Sequence, residues 1–151
     1  MPRSVRFASF LFMWAVLVSP AAAQGLGVRA GASVDPDQFY FGGHVETAPL
    51  LDQLHFRPNI EIGLGNDLTV VGINVEFAYV LPPLGDGGWS LYAGGGPALN
   101  IIDTEAETDS EGGFNLLFGA LHERGLFAEV KVGFLDSPNF KVGVGYTFRW
   151  R

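Results

Sequence analysis

The sequence predicts an all-β fold, a closed antiparallel barrel of eight strands. The first observation is that apolar residues recur at every second position in eight separate segments after residue 23. The second is that short stretches rich in Gly, Pro, Asp and Asn separate these segments. The third is the chain end, "NFKVGVGYTFRWR", where apolar residues from Phe140 to Trp150 alternate strictly with polar residues or glycine. A period of two is that of a strand with one apolar face.

The eight predicted strands lie in the segments 26–33, 39–46, 54–64, 71–79, 89–100, 114–120, 126–134 and 140–150. Their short links indicate antiparallel neighbours in an up-and-down order, and eight such strands close into a small barrel. The longest link is "IDTEAETDSEGG" at 102–113. Pro58 and Pro97 lie inside predicted strands, and because proline lacks a ladder donor, a bulge or local break is expected at each.

The N-terminal residues 1–23 are predicted to be a cleavable signal peptide, which leaves 24–151 as one barrel domain. Arg3 and Arg6 precede the apolar run 7–18, and Ala21, Ala22 and Ala23 follow it as an A-x-A cleavage pattern. The alternative, an uncleaved anchor helix, is disfavoured because a spanning helix needs about 20 apolar residues. The chain has no cysteine, so the exported domain has no disulfide.

Charge helps to decide which face of the barrel is polar. A soluble ligand-binding barrel is apolar inside, whereas a membrane barrel is apolar outside and polar within. After residue 23 the chain has 16 acidic and seven basic side chains, a net charge of −9 that argues against nucleic acid as a partner. Five of those basic residues and only four acidic ones lie on the polar faces of the strands, so these faces are nearly neutral, as an enclosed lumen requires. Many glycines on these faces would make room for long side chains. The predicted lumen network comprises Arg29, Tyr40, His44, Glu46, His55, Arg57, Asn59, Glu61, Asn74, Glu76, Tyr92, Glu129, Lys131, Lys141 and Arg149.

The aromatic residues of the apolar faces sort into two belts when successive strands run up and down. Such girdles are typical of transmembrane barrels, where they mark the two membrane interfaces. The predicted outer belt comprises Phe39, Phe41, Phe114, Phe134 and Phe140, and the inner belt Phe56, Phe77, Tyr79, Trp89, Phe148 and Trp150.

One ion pair is predicted inside the lumen. The link between the third and fourth strands allows a two-residue turn centred on Gly65-Asn66 or on Asn66-Asp67. The second register places Arg57 directly opposite Glu76, and the first makes them diagonal neighbours. Both registers predict an Arg57–Glu76 salt bridge.

The chain resembles the small eight-stranded bacterial outer-membrane β-barrel proteins, the porin-family or opacity-type barrel domain. The resemblance covers all residues after the signal peptide and rests on that peptide, the eight alternating segments and the final strand, in which Val142, Val144, Tyr146, Phe148 and Trp150 match the family's C-terminal pattern. It implies an outer-membrane location, contact with membrane lipid and recognition of the last strand by the barrel-insertion machinery. Arg151 departs from the pattern, which usually ends on the aromatic residue.

No pattern predicts chemistry, so we expect neither an enzyme nor a cofactor. The acidic stretch 103–111 is interpreted as a solvated loop, with divalent-cation or headgroup binding as the alternative. His44, Glu46, His55 and Glu61 follow no metal-ligand motif and are assigned to lumen hydrogen bonding. His122 and Glu123 have no serine nucleophile near them in sequence. We therefore expect a monomer with a structural or surface-interaction role in the cell envelope. The alternatives are a narrow channel or transporter for small solutes and a soluble periplasmic lipid-binding barrel.

Overall fold

The computed structural model describes residues 23–150 and is all-β over that range. The predicted signal peptide, apart from Ala23, and Arg151 lie outside the described residues. Within them, no helix is long and apolar enough to cross a membrane. The strand segments are β1 (Ala23–Val34), β2 (Gln38–Thr47), β3 (Leu54–Phe56), β4 (Asn59–Gly65), β5 (Leu68–Asn74), β6 (Phe77–Val80), β7 (Trp89–Thr104), β8 (Thr108–His122), β9 (Leu126–Leu135) and β10 (Phe140–Arg149).

These segments form a closed antiparallel barrel of eight strands, as predicted. β3 and β4 together make the third barrel strand, and β5 and β6 together make the fourth. The barrel closes where β1 pairs with β10 in continuous register, from Gly25 opposite Arg149 to Val34 opposite Phe140. The last strand is therefore held along its length by the first, and neither strand is left as a free edge.

The third and fourth barrel strands are interrupted side by side, at 57–58 and at 75–76. The interruption at Pro58 was predicted, but Pro97 lies in the continuous strand β7. Successive residues of β7 direct their backbone N–H and C=O groups alternately to β8 and to the fourth barrel strand. Thr104 N donates to Glu107 O, so Thr104 bonds toward β8, and Pro97, seven residues earlier, faces the fourth barrel strand. Its carbonyl accepts a bond from Val75 N at 2.9 Å. The effect of Pro97 therefore falls on the neighbouring strand, which has its gap where the proline has no N–H to offer.

The barrel has a shear of ten residues. Following paired residues once around the wall leads from Asn100 on β7 through every strand and back to Ser90 on the same strand. Eight strands with this stagger tilt by ~40° from the barrel axis. Residues that meet inside the barrel are therefore seldom register partners, because the tilt separates partners in height.

The links divide between two ends. The turns 35–37, 66–67, 105–107 and 136–139 lie at one end, which we call the hairpin end. The first and last described residues and the links 48–53, 81–88 and 123–125 lie at the other. The prediction of a loop at 102–113 is wrong, because β7 and β8 continue through this stretch and pair as far as Asp103 opposite Thr108. Backbone pairing persists there without an apolar face, and Thr108 Oγ1 also donates to Asp103 Oδ1 at 2.9 Å. Only 105–107 remain as a turn.

The barrel interior as candidate functional site

Polar and charged side chains fill the inside of the barrel, and apolar ones cover its outside. Lys131 is 1% exposed and Glu76 0%, whereas Phe39 on the opposite face is 66% exposed. Alternation of polar and apolar residues along each strand produces the polar interior and the apolar exterior, because successive side chains point to opposite faces of the wall. The structure places these predicted lumen residues inside the barrel: Arg29, Tyr40, His44, Glu46, Arg57, Asn59, Glu61, Asn74, Glu76, Tyr92, Glu129, Lys131 and Lys141.

Three carboxylates lie at the centre of the interior. Lys131 Nζ donates to Glu61 Oε1 at 3.0 Å and makes a close contact with Glu76. Lys141 donates to the other oxygen of Glu61. Arg29 lies 2.9 Å from Glu129. Together with Arg57 these residues form what we call the ionic cluster: four cations and three anions, all buried, with one positive charge in surplus.

Glu129 contacts Arg57 and Tyr92 as well as Arg29. Its second oxygen accepts a hydrogen bond from Tyr92 Oη at 2.6 Å and lies 3.7 Å from Arg57. The guanidinium of Arg57 also lies over the rings of Tyr92 and Phe127, with centroids at 5.1 and 5.0 Å. Arg57 is thus held by one carboxylate and two aromatic faces, an arrangement that suits arginine because its planar cation is weakly hydrated.

The predicted Arg57–Glu76 ion pair is wrong, although the register behind it is one of the two considered. Gly65 opposes Leu68, and Arg57 N donates to Glu76 O at 2.8 Å, so the two residues are backbone neighbours. Their side chains instead reach across the lumen, Arg57 to Glu129 and Glu76 to Lys131. The physical reason is the width of the barrel: long side chains span an eight-stranded lumen, so partners on opposite walls compete with adjacent ones.

Amides and small hydroxyls complete the interior. Asn74 donates to Asn59 at 2.8 Å, and Asn115 donates to Asn74 at 3.2 Å. His44 Nε2 lies 2.9 Å from Thr147 Oγ1. Sequence reasoning did not include Asn115, Thr147 or the buried Gln38, although the alternation that selected their neighbours would have found them.

Glycines on the inner face give the interior rings their space. A Cβ at Gly27 would overlap the imidazole of His44, and one at Gly119 would overlap the phenol of Tyr92. Near Lys141, the interior holds a cavity of about 10 Å³, which has room for one water molecule. The predicted use of inner-face glycine as room for large neighbours therefore has a direct structural counterpart.

Two predicted lumen residues lie near the end opposite the hairpin end and are less enclosed. Arg149 Nε donates to Glu46 Oε1 at 2.9 Å, but the arginine side chain is 32% exposed. His55 is half-buried, with Nδ1 3.4 Å from the carbonyl of Thr47. Neither joins the ionic cluster. Among residues 23–150, no group of three or more His, Asp or Glu side chains is arranged to hold a metal ion.

The predicted aromatic belts lie on the outer face. All of their members are exposed except Phe56, which is half-buried and lies 5.2 Å from the ring of Phe77. Smaller residues such as Ala30, Ala128 and Val144 lie between the belts and line a shallow depression of about 390 Å³ in the wall. An apolar outer surface of this extent is unusual for a soluble monomer.

Comparison with known proteins shows the fold alone. No protein-family model and no curated protein matches the chain. Among solved structures, the chain is similar to Neisserial surface protein A, with 14% identity over 85% of this chain and 96% of that one and a TM-score of 0.64. It is also similar to the N-terminal β-barrel domain of OprF from Pseudomonas aeruginosa, with 15% identity over 84% of this chain and 99% of that domain and a TM-score of 0.60.

Proposed function

We propose that the protein is a small barrel of the bacterial outer membrane, with a lumen filled by side chains and a structural or surface-interaction role in the cell envelope. Its polarity is the observation that carries the proposal: the ionic cluster is inside, and an apolar wall with two aromatic belts is outside. A bilayer stabilises such a wall, and closure satisfies every backbone group within it. The barrel fold shared with two outer-membrane proteins agrees with this placement.

This placement defines the partners we propose. Membrane lipid contacts the apolar wall, and the barrel-insertion machinery binds the last strand before it pairs with β1. The protein acts as a monomer without a cofactor or enzymatic activity. A soluble lipid carrier would need the opposite polarity, because its ligand must lie in an apolar interior.

Membrane extraction and gel mobility test the placement. The protein should stay with membranes in alkaline carbonate, and it should run faster in detergent gels when unboiled, because a closed barrel resists detergent unfolding. Recovery from the soluble periplasmic fraction would refute it.

The second candidate, a narrow channel for small solutes, makes a different prediction. Lys131 Nζ lies within 4 Å of a carboxylate oxygen of Glu76 and of one of Glu129, and this contact across the lumen occupies the path of any solute. Purified protein in planar bilayers should therefore give no steady conductance steps. Reproducible steps that vanish with a denatured sample would favour the channel instead.

A further inference from the structure

We propose that one strand edge at the hairpin end, residues 108–112 of β8, binds an extended basic peptide by adding it to the sheet as another strand. The inference deepens the surface-interaction role and rests on it. We call residues 108–112 the free edge. β8 pairs with β7 along its whole length, but its pairing with β9 begins only at Gly113 opposite Leu135. Along the free edge, the side of β8 that faces away from β7 has no strand partner among the described residues.

The alternation of the ladder identifies which backbone groups are available. Thr104 N donates to Glu107 O at 2.9 Å, so the pairs alternate from this bonded one. Thr108, Ser110 and Gly112 therefore point their N–H and C=O groups away from β7. The Ser110 N–H is covered by the carboxylate of Asp109 at 2.8 Å, which confirms its outward direction. A Cβ at Gly112 would contact nothing within 4 Å, so the face of the sheet at this end of the free edge is uncovered.

The free edge belongs to a sheet that is ordered on its other side. β7 pairs with β5 as far as Thr104 opposite Leu68, so three strands, β5, β7 and β8, are in register behind the edge. An incoming strand would meet a template that already has its final shape, which lowers the entropic cost of binding.

Charge selects the chemistry of the partner. Glu107, Asp109 and Glu111 are alternate residues of the hairpin and share one face of it, and all but the half-buried Glu111 are exposed. The turns and the hairpin at this end carry no lysine or arginine in the part of the chain that the structure describes. Lys141, which follows the turn 136–139 in the chain, is buried against Glu61. The acidic residues of this end are Asp35, Asp37, Asp67, Asp103, Glu105, Glu107, Asp109, Glu111 and Asp136.

An extended segment with lysine or arginine at alternate positions fits both features. Its backbone would bond to the free edge, and its cations would all fall on the face that carries the three acids. A second copy of this chain is a poorer partner, because two such edges would bring like charges together.

Binding is tested with the refolded full barrel in detergent and a synthetic peptide of alternating threonine and lysine, about nine residues long. A matched peptide is N-methylated at the amides that face β8, which keeps its charge and removes its donors. We expect the first peptide to bind and to protect the Thr108 and Gly112 amides from hydrogen exchange. The methylated peptide should bind about tenfold more weakly or worse.

Two variants separate the edge from the charge. Ser110→Pro removes the N–H that Asp109 covers and places a ring on the free edge, where it would block an added strand. Edge strands tolerate proline, and the change should abolish amide protection. The double variant Asp109→Asn, Glu111→Gln should weaken binding and its salt dependence. The control Asp52→Asn, Asp86→Asn makes the same charge change at the opposite end and should leave binding unchanged.

Several results would overturn the proposal. Equal binding of the methylated peptide would show attraction by charge without strand addition. Dimerisation through 108–112, or saturable Ca²⁺ binding that displaces the peptide, would assign the hairpin to another partner. None of these outcomes bears on membrane placement, which extraction and gel mobility test separately.

Discussion

Replacing Glu129 by glutamine is predicted to destabilise the barrel strongly while leaving its shape intact. Glutamine has nearly the same size and keeps an oxygen for the Tyr92 hydroxyl, so the change removes charge and little else. Arg29 loses its shortest ion-pair contact, at 2.9 Å, and Arg57 loses its only ion-pair partner among the described residues, at 3.7 Å.

The magnitude follows from the charges that remain. The ionic cluster has four cations and three anions, and Glu129→Gln leaves four and two, which doubles the buried surplus. Removing one member of a buried ion pair costs about 3–5 kcal/mol, because its partner stays buried without compensation. Adding Arg57→Met leaves three cations and two anions and restores the original surplus. The double variant should therefore be more stable than the two single effects predict by addition, with a coupling of about 0.5–3 kcal/mol.

The assay is urea unfolding of the refolded barrel in lipid vesicles, followed by tryptophan fluorescence from Trp89 and Trp150. Glu46→Gln is the matched control, since it removes the same charge from a pair whose arginine is 32% exposed and should cost only about 0–1 kcal/mol. Equal losses for Glu129→Gln and Glu46→Gln, or strict additivity in the double variant, would refute the argument that the cluster is shielded from water.

Two further predictions concern packing and the outer wall. Gly27→Ala should lower the free energy of unfolding by about 1–3 kcal/mol in the same urea assay, because the new methyl group displaces the ring of His44. Gly112→Ala, with open space around it, should change little. A similar loss of stability at both sites would contradict the packing argument. Val144→Arg places a charge midway along the apolar wall and should lower the free energy of unfolding in lipid vesicles by about 2–4 kcal/mol. Leu84→Arg, in an end link, should leave stability unchanged. An unchanged stability for Val144→Arg would contradict a lipid-facing wall.

The fold was predictable from the sequence because a barrel wall imposes one rule on every residue. Alternation between an apolar outside and a polar inside repeats along each strand, and eight repeats with short links leave few other architectures. The same rule failed at 102–113. There neither face of the hairpin has to be apolar, so the sequence of Asp, Glu, Thr and Ser resembles a loop even though the backbone remains paired.

The interior contacts were predictable only in part. Alternation between the two faces of a strand predicted that Arg57, Glu76, Glu129 and Lys131 point inside, because this alternation depends only on position along the strand. Their pairing depends on the shear of the barrel and on the width of the lumen, and neither property is local in the sequence. Cross-strand register correctly predicted Glu76 as the backbone neighbour of Arg57. The two side chains are long enough to cross the lumen, however, and they pair with Glu129 and Lys131 on the far wall.

The side-by-side interruptions at 57–58 and 75–76 give the wall one corner with its own stability. β3 has three residues and β6 has four, and they pair with each other across only three positions. On the other side, β3 meets β2 through contacts such as Thr47 Oγ1 with the carbonyl of Phe56 at 3.3 Å. Because this corner has few backbone bonds to break, we expect it to open in fluctuations that leave the remaining strands paired, so that local unfolding begins there before the barrel as a whole unfolds.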